Sequence, residues 1–248
     1  MYGCTIIFKQ LIMAVSVNTV YQRVLAIANK EQRGYVTPQE FNLFANQAQM
    51  DIFEQYFYDI NQFNRAPGND TEYSNMLDLL NEKITIFQKH EVAPDSISTS
   101  TITLPTDLYR LGTLKYIGGT YPVEIEEVRH NELLELERSP LTRATTSRPY
   151  YVRLTETTAK IYPITITTIG DIKCNYVDKP TTASFDYIVV NGEALYNSTN
   201  SVDFELHESE ETELVLKILA LAGVSIEDPQ LYQIATGEEV KKLQQEKV

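Results

Sequence analysis

The stretch Arg33 to Asn64, RGYVTPQEFNLFANQAQMDIFEQYFYDINQFN, constrains this chain more than any other. Thr37-Pro38-Gln39-Glu40 has the form of a capping box. The Thr37 hydroxyl is placed to accept from the Glu40 backbone N–H, and the Glu40 carboxylate to reach back to the N–H of Thr37. Pro38 falls at the first helical position, where its missing N–H costs nothing. A long helix follows, in which Phe41, Phe44, Ala45, Ala48, Ile52, Tyr56 and Phe63 keep helical spacing and form a broad stripe. Leu43, Met50 and Phe57 recur at heptad spacing on nearly the opposite face. Either the helix is sandwiched within its own bundle, or the second row meets another subunit. Neither face carries a catalytic group, so the helix points to assembly.

A chain of 248 residues lies between one large domain and two small ones, and can bury a substantial core. The formal charge of −13 argues against gripping nucleic-acid phosphates, which takes a basic face. Such acidity is compatible with DNA passing nearby without sticking. Cys4 and Cys174 are too few for a disulfide framework or a thiolate metal site, as expected of a product of a reducing cytoplasm. Tyrosine, at 16 copies with no tryptophan, suits interfaces and β-structure equally. The apolar run in MYGCTIIFKQLIMA is broken by Lys9 and Gln10 and is too short to span a membrane. Residues 1–16 are expected to be an N-terminal extension, disordered or read from an upstream start codon over 1–12. The Asn197 sequon reads as chance.

Three helical segments fill the first third of the chain. The first is Val17 to Lys30, with Val20, Val24, Leu25, Ile27 and Ala28 apolar. The second starts at Pro38. The third is capped by Asn69 and Glu72 and carries Tyr73, Met76, Leu77, Leu80, Ile84 and Phe87. Around Pro94 the apolar period changes to two. Strands are expected at Thr101–Leu104, Leu114–Ile117, Thr120–Ile125, Tyr150–Leu154, Lys160–Tyr162, Ile164–Thr167 and Asp171–Val177. Gly118-Gly119 would be a two-residue hairpin turn, and Glu126–Glu137 a short helix. The pattern suggests an antiparallel meander or small sandwich. Phe185 to Phe204 reads as loop and short strands, with a turn at Asn191-Gly192. Glu208, Glu210, Glu211 and Glu213 crowd the start of a helix apolar on nearly all sides, from Leu214 to Ala222 and ended by Gly223. Asp228-Pro229 starts a last helix. The expected fold is therefore α+β, a helical bundle built from residues 17–93 and 207–248 with an antiparallel β-domain inserted at 94–206.

Candidate chemistry is sparse. His90, His130 and His207 have no second ligand at metal-binding spacing. His207, beside Glu205 and Glu208, is the best metal candidate, against the plainer reading of a charged helix start. Gly-rich phosphate loops, nucleophile elbows and Cys–His pairs are missing from the sequence. No catalytic residue, metal ligand or cofactor is assigned.

With the helix from Thr37, the Leu104-Pro105-Thr106-Asp107-Leu108 turn, the Ile161-Tyr162-Pro163 strand end and the HESEETELVLKILALAG helix in view, the chain resembles a phage structural family. It is similar to the head-to-tail connector, or adaptor ring, proteins of short-tailed phages, most of all the neck proteins of crAss-like phages, from about Val17 to about Leu231. The resemblance implies a virion protein of the neck, forming a dodecameric ring that joins the portal vertex to the tail around the DNA passage. Its partners would be the portal, other neck or tail proteins and copies of itself, with no membrane and no sequence-specific nucleic acid. The family has no active site to transfer. The competing reading is a β-rich tail or receptor-binding module contacting virion proteins or surface glycans.

Charge supplies a second set of interface candidates. Arg138, Arg143, Arg148 and Arg153 occupy a stretch without Asp or Glu. Asp203, Glu205, Glu208, Glu210, Glu211 and Glu213 occupy one without Lys or Arg. In a cyclic ring one patch meets a different patch on the next copy, so these runs could fix register. The alternatives are solvated surface or pairing within the chain.

Overall fold

The computed structural model describes residues 14–30, 36–63, 76–190 and 193–225, with Gly237 and Lys241. Helices α1 (Val17–Lys30), α2 (Pro38–Phe63) and α3 (Met76–Thr85) come first. Strands β1 (Gln88–Val92), β2 (Ser96–Ser98), β3 (Thr101–Thr103), β4 (Leu108–Tyr116) and β5 (Val123–Glu127) follow, then α4 (His130–Arg138). The chain continues through β6 (Tyr150–Arg153), β7 (Thr158–Tyr162), β8 (Ile172–Asp178), β9 (Tyr187–Val190), β10 (Glu193–Tyr196) and α5 (Glu211–Ser225). The fold is α+β, and the chain divides into two compact units, Met1–Ile86 with Pro180–Val248, and Phe87–Lys179. The helix caps at Asn69 and Glu72, the turn at Asn191-Gly192, the helix from Asp228 and residues 1–12 lie outside the described residues.

In the first unit α5 packs on α1 and α2, and α3 on α2. The α2 capping box forms as read. Thr37 N donates to Glu40 Oε2 at 3.0 Å, and Glu40 N donates to Thr37 Oγ1 at 3.3 Å. The core joins Val17, Val20, Tyr21 and Val24 of α1 to Phe41, Ile52 and Phe53 of α2 and Leu214 and Ile218 of α5. Each large apolar side chain so buried contributes about 1.5–3 kcal/mol. Tyr21 anchors an aromatic cluster, 4.9 Å from Phe41 and 4.3 Å from Phe185 between ring centroids. Its burial turns the α1 stripe from the expected one, so that Ile27 is exposed. α5 is buried along most of its length, as a helix apolar on nearly all sides must be. The helical turn continues past Gly223 to Ser225. Val15, placed in the N-terminal extension by sequence, is instead buried and bridges Phe204, because its backbone finds an antiparallel partner there.

The second unit is one eight-stranded sheet in the order β1-β8-β4-β5-β6-β7-β3-β2, not a meander. An open sheet of that size would hold its edges about 34 Å apart, at ~4.8 Å per strand spacing. Only Ala93, Pro94 and Asp95 separate β1 from β2 in the chain, a reach of at most about 14 Å. The sheet must therefore curl on itself. Its concave side holds one core, from Ile102 (β3), Leu114 (β4), Ile125 (β5), Tyr151 (β6), Ile161 (β7) and Cys174 (β8). β5 and β6 run parallel, and parallel neighbours need a crossover; α4 is that crossover. The unit's two ends are antiparallel neighbours, with Gln88 opposite Val177 and Asp178 N donating to Phe87 O at 2.8 Å.

Several local expectations change. Ile164–Thr167 is not a strand; Ile166 is buried in a turn closed by its N–H on Pro163 O at 3.1 Å. β4 and β5 pair, but across the longer loop 117–122 rather than a two-residue turn. At Gly118 an added Cβ would lie 2.7 Å from the Asp171 carboxylate, so a larger residue there would require that side chain to move. The short helix starts at His130, since Val123–Glu127 is drawn into the sheet. Three tyrosine hydroxyls of this unit donate to carboxylates: Tyr150 to Glu137, Tyr151 to Glu127 at 3.1 Å and Tyr176 to Asp107 at 3.0 Å.

Candidate assembly surfaces

Helix α2 serves three different surroundings at once. Phe41, Ala45, Ala48, Ile52 and Tyr56 face the core. Beside them Asn42, Asn46 and Gln49 hold the extended segment that begins the return from the second unit. Asn42 Nδ2 donates to Phe185 O at 3.2 Å and Phe185 N to Asn42 Oδ1 at 2.8 Å. Asn46 makes the same pair with Ala183, at 2.9 Å each way, and Gln49 Nε2 donates to Thr181 O at 2.8 Å. The match is geometric. Four helical residues rise about 6 Å, and two extended residues advance about 6.6 Å. Alternate backbone amides of the segment thus find side-chain amides in place of a strand.

The third surface is the outward stripe Glu40, Leu43, Gln47, Asp51, Glu54 and Tyr58, all exposed and at helical spacing. Leu43 is 73% and Tyr58 64% exposed. α2 contains no Lys, Arg or His, so this stripe is apolar and acidic. The row read from sequence lies along its margin. Leu43 belongs to the stripe, whereas Met50 and Phe57 are half-buried, and the Phe57 ring packs edge-on to Phe53 at 5.1 Å. The row is therefore not an intrachain core at its Leu43 end, nor a uniformly open face.

The arginine run lies in the second unit, at the end of α4, in the loop after it and at the end of β6. Arg138, Arg143 and Arg148 are exposed. Arg143 donates to Glu137 O at 3.2 Å and lies 3.9 Å from the Glu137 carboxylate. Two leucines that the sequence reading passed over dominate this surface: Leu134, 74% exposed, and Leu141, 86% exposed. The signal was a short helix with charges on every side and no buried residue. A groove of about 150 Å³ runs alongside, lined by Val123, Glu126, Val128, Leu136, Arg148 and Tyr150 among others. It is smaller than the ~300 Å³ at which ordinary ligand pockets begin.

The acidic run does not face outward as a patch. Asp203 Oδ1 accepts from Val17 N at 2.9 Å and caps α1, and Glu205 accepts from Thr181 N at 2.9 Å. Glu210 is 2% exposed and pairs with Lys83 at 2.5 Å. Glu211 pairs with Arg23 at 3.1 Å, and Glu213 lies 3.9 Å from Lys217. Of the interface candidates Glu208, Glu210 and Glu211, Glu210 is thereby excluded and Glu211 already engaged; Glu208 alone is open to solvent. The cause is the helix start turning into its own unit, where carboxylates meet orphan N–H groups and cations from other helices. His207 Nδ1 accepts from Ser209 N at 3.2 Å, which makes it the N-cap of the short turn before α5.

Among the described residues no cluster of three or more His, Cys, Asp or Glu could hold a metal ion, and no helix is long and apolar enough to cross a membrane. No protein-family model matches the chain, and no curated protein sequence does.

Proposed function

We propose that this chain is a structural subunit of a ring-forming head-to-tail connector in a short-tailed, crAss-like phage, joining the portal vertex to the tail around the DNA passage. In that reading a helical bundle drawn from both ends of the chain carries the curled β-unit as an insertion, and the portal templates a dodecameric ring. The supporting observation is the β9–β10 ribbon. Ile188 and Leu195 sit directly opposite each other on one face and Val189 on the other, and all three are exposed. A two-stranded ribbon is marginal in water by itself, and an apolar ribbon with open edges invites a further chain. Such an arm suits a protein that works packed among others. The acidic net charge is compatible with a DNA passage that must not bind its cargo.

Co-sedimentation and electron microscopy with the cognate portal test the reading. The isolated protein should be largely monomeric and should form a closed ring on portal particles. Failure to bind any portal or neck component would remove the connector reading.

A further inference from the structure

We infer that the β9–β10 ribbons of neighbouring copies join edge to edge, β10 of one copy pairing antiparallel with β9 of the next, in a continuous β-belt. This rests on the connector reading for one premise, that the copies form a closed ring. The ribbon is a sheet by itself, so among the described residues no further strand covers either of its edges. Its register sets Tyr187 opposite Tyr196, Ile188 opposite Leu195, Val189 opposite Ala194 and Val190 opposite Glu193. The next step of the same ladder is Asn197 N donating to Asp186 O at 3.0 Å. Hydrogen-bonded and non-hydrogen-bonded pairs alternate along an antiparallel ladder, so Ile188, Val190, Glu193 and Leu195 turn their amides inward. Tyr187 and Val189 then point N–H and C=O out from the β9 edge, and Ala194 and Tyr196 do so from the β10 edge.

The two edges complement each other. Repeating the ribbon's own register between copies sets Tyr187 and Val189 against Tyr196 and Ala194 of the next copy, and every outward donor meets an outward acceptor. The same register sets Ile188 across from Leu195 of the next copy. The row these two half-exposed side chains make on one face then runs on from copy to copy. Glu193, the single charged residue of the two strands, again stands opposite Val190, so the register opposes no like charges. A two-fold pairing of β9 with β9 leaves both β10 edges open, and a foreign strand at one edge leaves the other open. Head-to-tail pairing is heterologous, and in a ring it covers every edge, as closure of a barrel does. Neither strand carries the lysine, proline or bulge with which edges that stay in solvent are blunted. The base of the ribbon is tied to the helical core by the Tyr196 ring, 5.3 Å from that of Phe185.

Single cysteines test the register, in a Cys4→Ser background where the remaining Cys174 is buried. Ile188 and Leu195 of adjacent copies form a non-hydrogen-bonded pair in this belt, the closer of the two kinds. Ile188→Cys and Leu195→Cys proteins, mixed on portal particles and in concentrated solution under mild oxidation, should give a covalent dimer several-fold in excess of either variant alone. Both sites are exposed, so neither variant is expected to unfold. Val189→Pro, added to the Ile188→Cys protein, removes an outward N–H and no hydrogen bond of the ribbon. It should abolish the link without lowering the melting temperature of the isolated protein. Equal yields in the mixture and in the single variants, or a yield untouched by Val189→Pro, would overturn the inference. Rings on portal without the 188–195 link would overturn it and leave the connector reading standing. The link without portal binding would support it and remove the connector reading.

Discussion

The side-chain amide of Asn46 and the backbone of Ala183 exchange two hydrogen bonds of 2.9 Å, as two strands of a sheet would. Asn46→Ala removes both and strands a buried-side N–H and C=O. The cost should be about 1–3 kcal/mol, seen as a lower urea midpoint. Asn46→Asp keeps the acceptor and turns the donor into a second oxygen facing Ala183 O, so it should cost more than alanine. Equal stability of wild type and Asn46→Ala would show that the segment is held by packing alone.

Lys83 and Glu210 form a pair in the first unit, with Lys83 also 5.8 Å from the Tyr56 ring centroid. Breaking such a pair from one side leaves an uncompensated charge and costs about 3–5 kcal/mol. Lys83→Met should therefore destabilise strongly. Lys83→Met with Glu210→Leu should recover much of that loss. A double variant no better than the single one, by denaturant titration, would mean the two groups act independently.

Alkaline titration should report on the second unit. Burial first, then the partner carboxylate, pushes the hydroxyls of Tyr150, Tyr151 and Tyr176 well above the ordinary 10.0, and burial raises the Cys174 thiol from 9.0 to about 11. Groups whose folded pKa is raised stabilise the fold below the unfolded pKa. That contribution is lost as pH climbs past it. Stability should decline above about pH 9–10, where unfolded Cys and Tyr ionise. Ultraviolet tyrosinate titration should show these three rings ionising only with unfolding. Tyr151→Phe should leave one fewer such ring.

Leu43→Asp should shift stability by no more than about 0.5 kcal/mol, as an exposed substitution away from special features. Phe57→Asp should cost several times more, because that ring packs on Phe53. Melting temperatures of the two variants decide. A large loss at Leu43 would mean that the stripe is covered within the chain.

Elements with a strong local signature were legible. The Thr37–Glu40 box, the Val17–Lys30 helix and the largely apolar Leu214–Ala222 run each state their structure within a few residues. What failed were features set by distant partners. β1, QKHEV, has no alternating apolar pattern because it is a mostly exposed edge strand. Thr181 to Phe185 looked like part of the β-region, yet it is fastened by amides of a helix more than a hundred residues away. Asn42, Asn46 and Gln49 sit at i, i+4 and i+7, a polar stripe that reads as solvated unless its partner is known. The acidic run misled for the same reason. Local composition makes it a patch, and only the tertiary fold brings Lys83 and Arg23 to it.

The hydrogen bond between Asp178 and Phe87 carries a consequence for how this architecture can change over time. The two ends of the second unit are neighbours within it, so in the connector reading, where the helices carry that unit as an insertion, it is a cassette. A larger, smaller or unrelated insert whose ends lie one β-ladder apart would satisfy the same junction. The helices could then keep their neighbours while the cassette is exchanged to suit a different one.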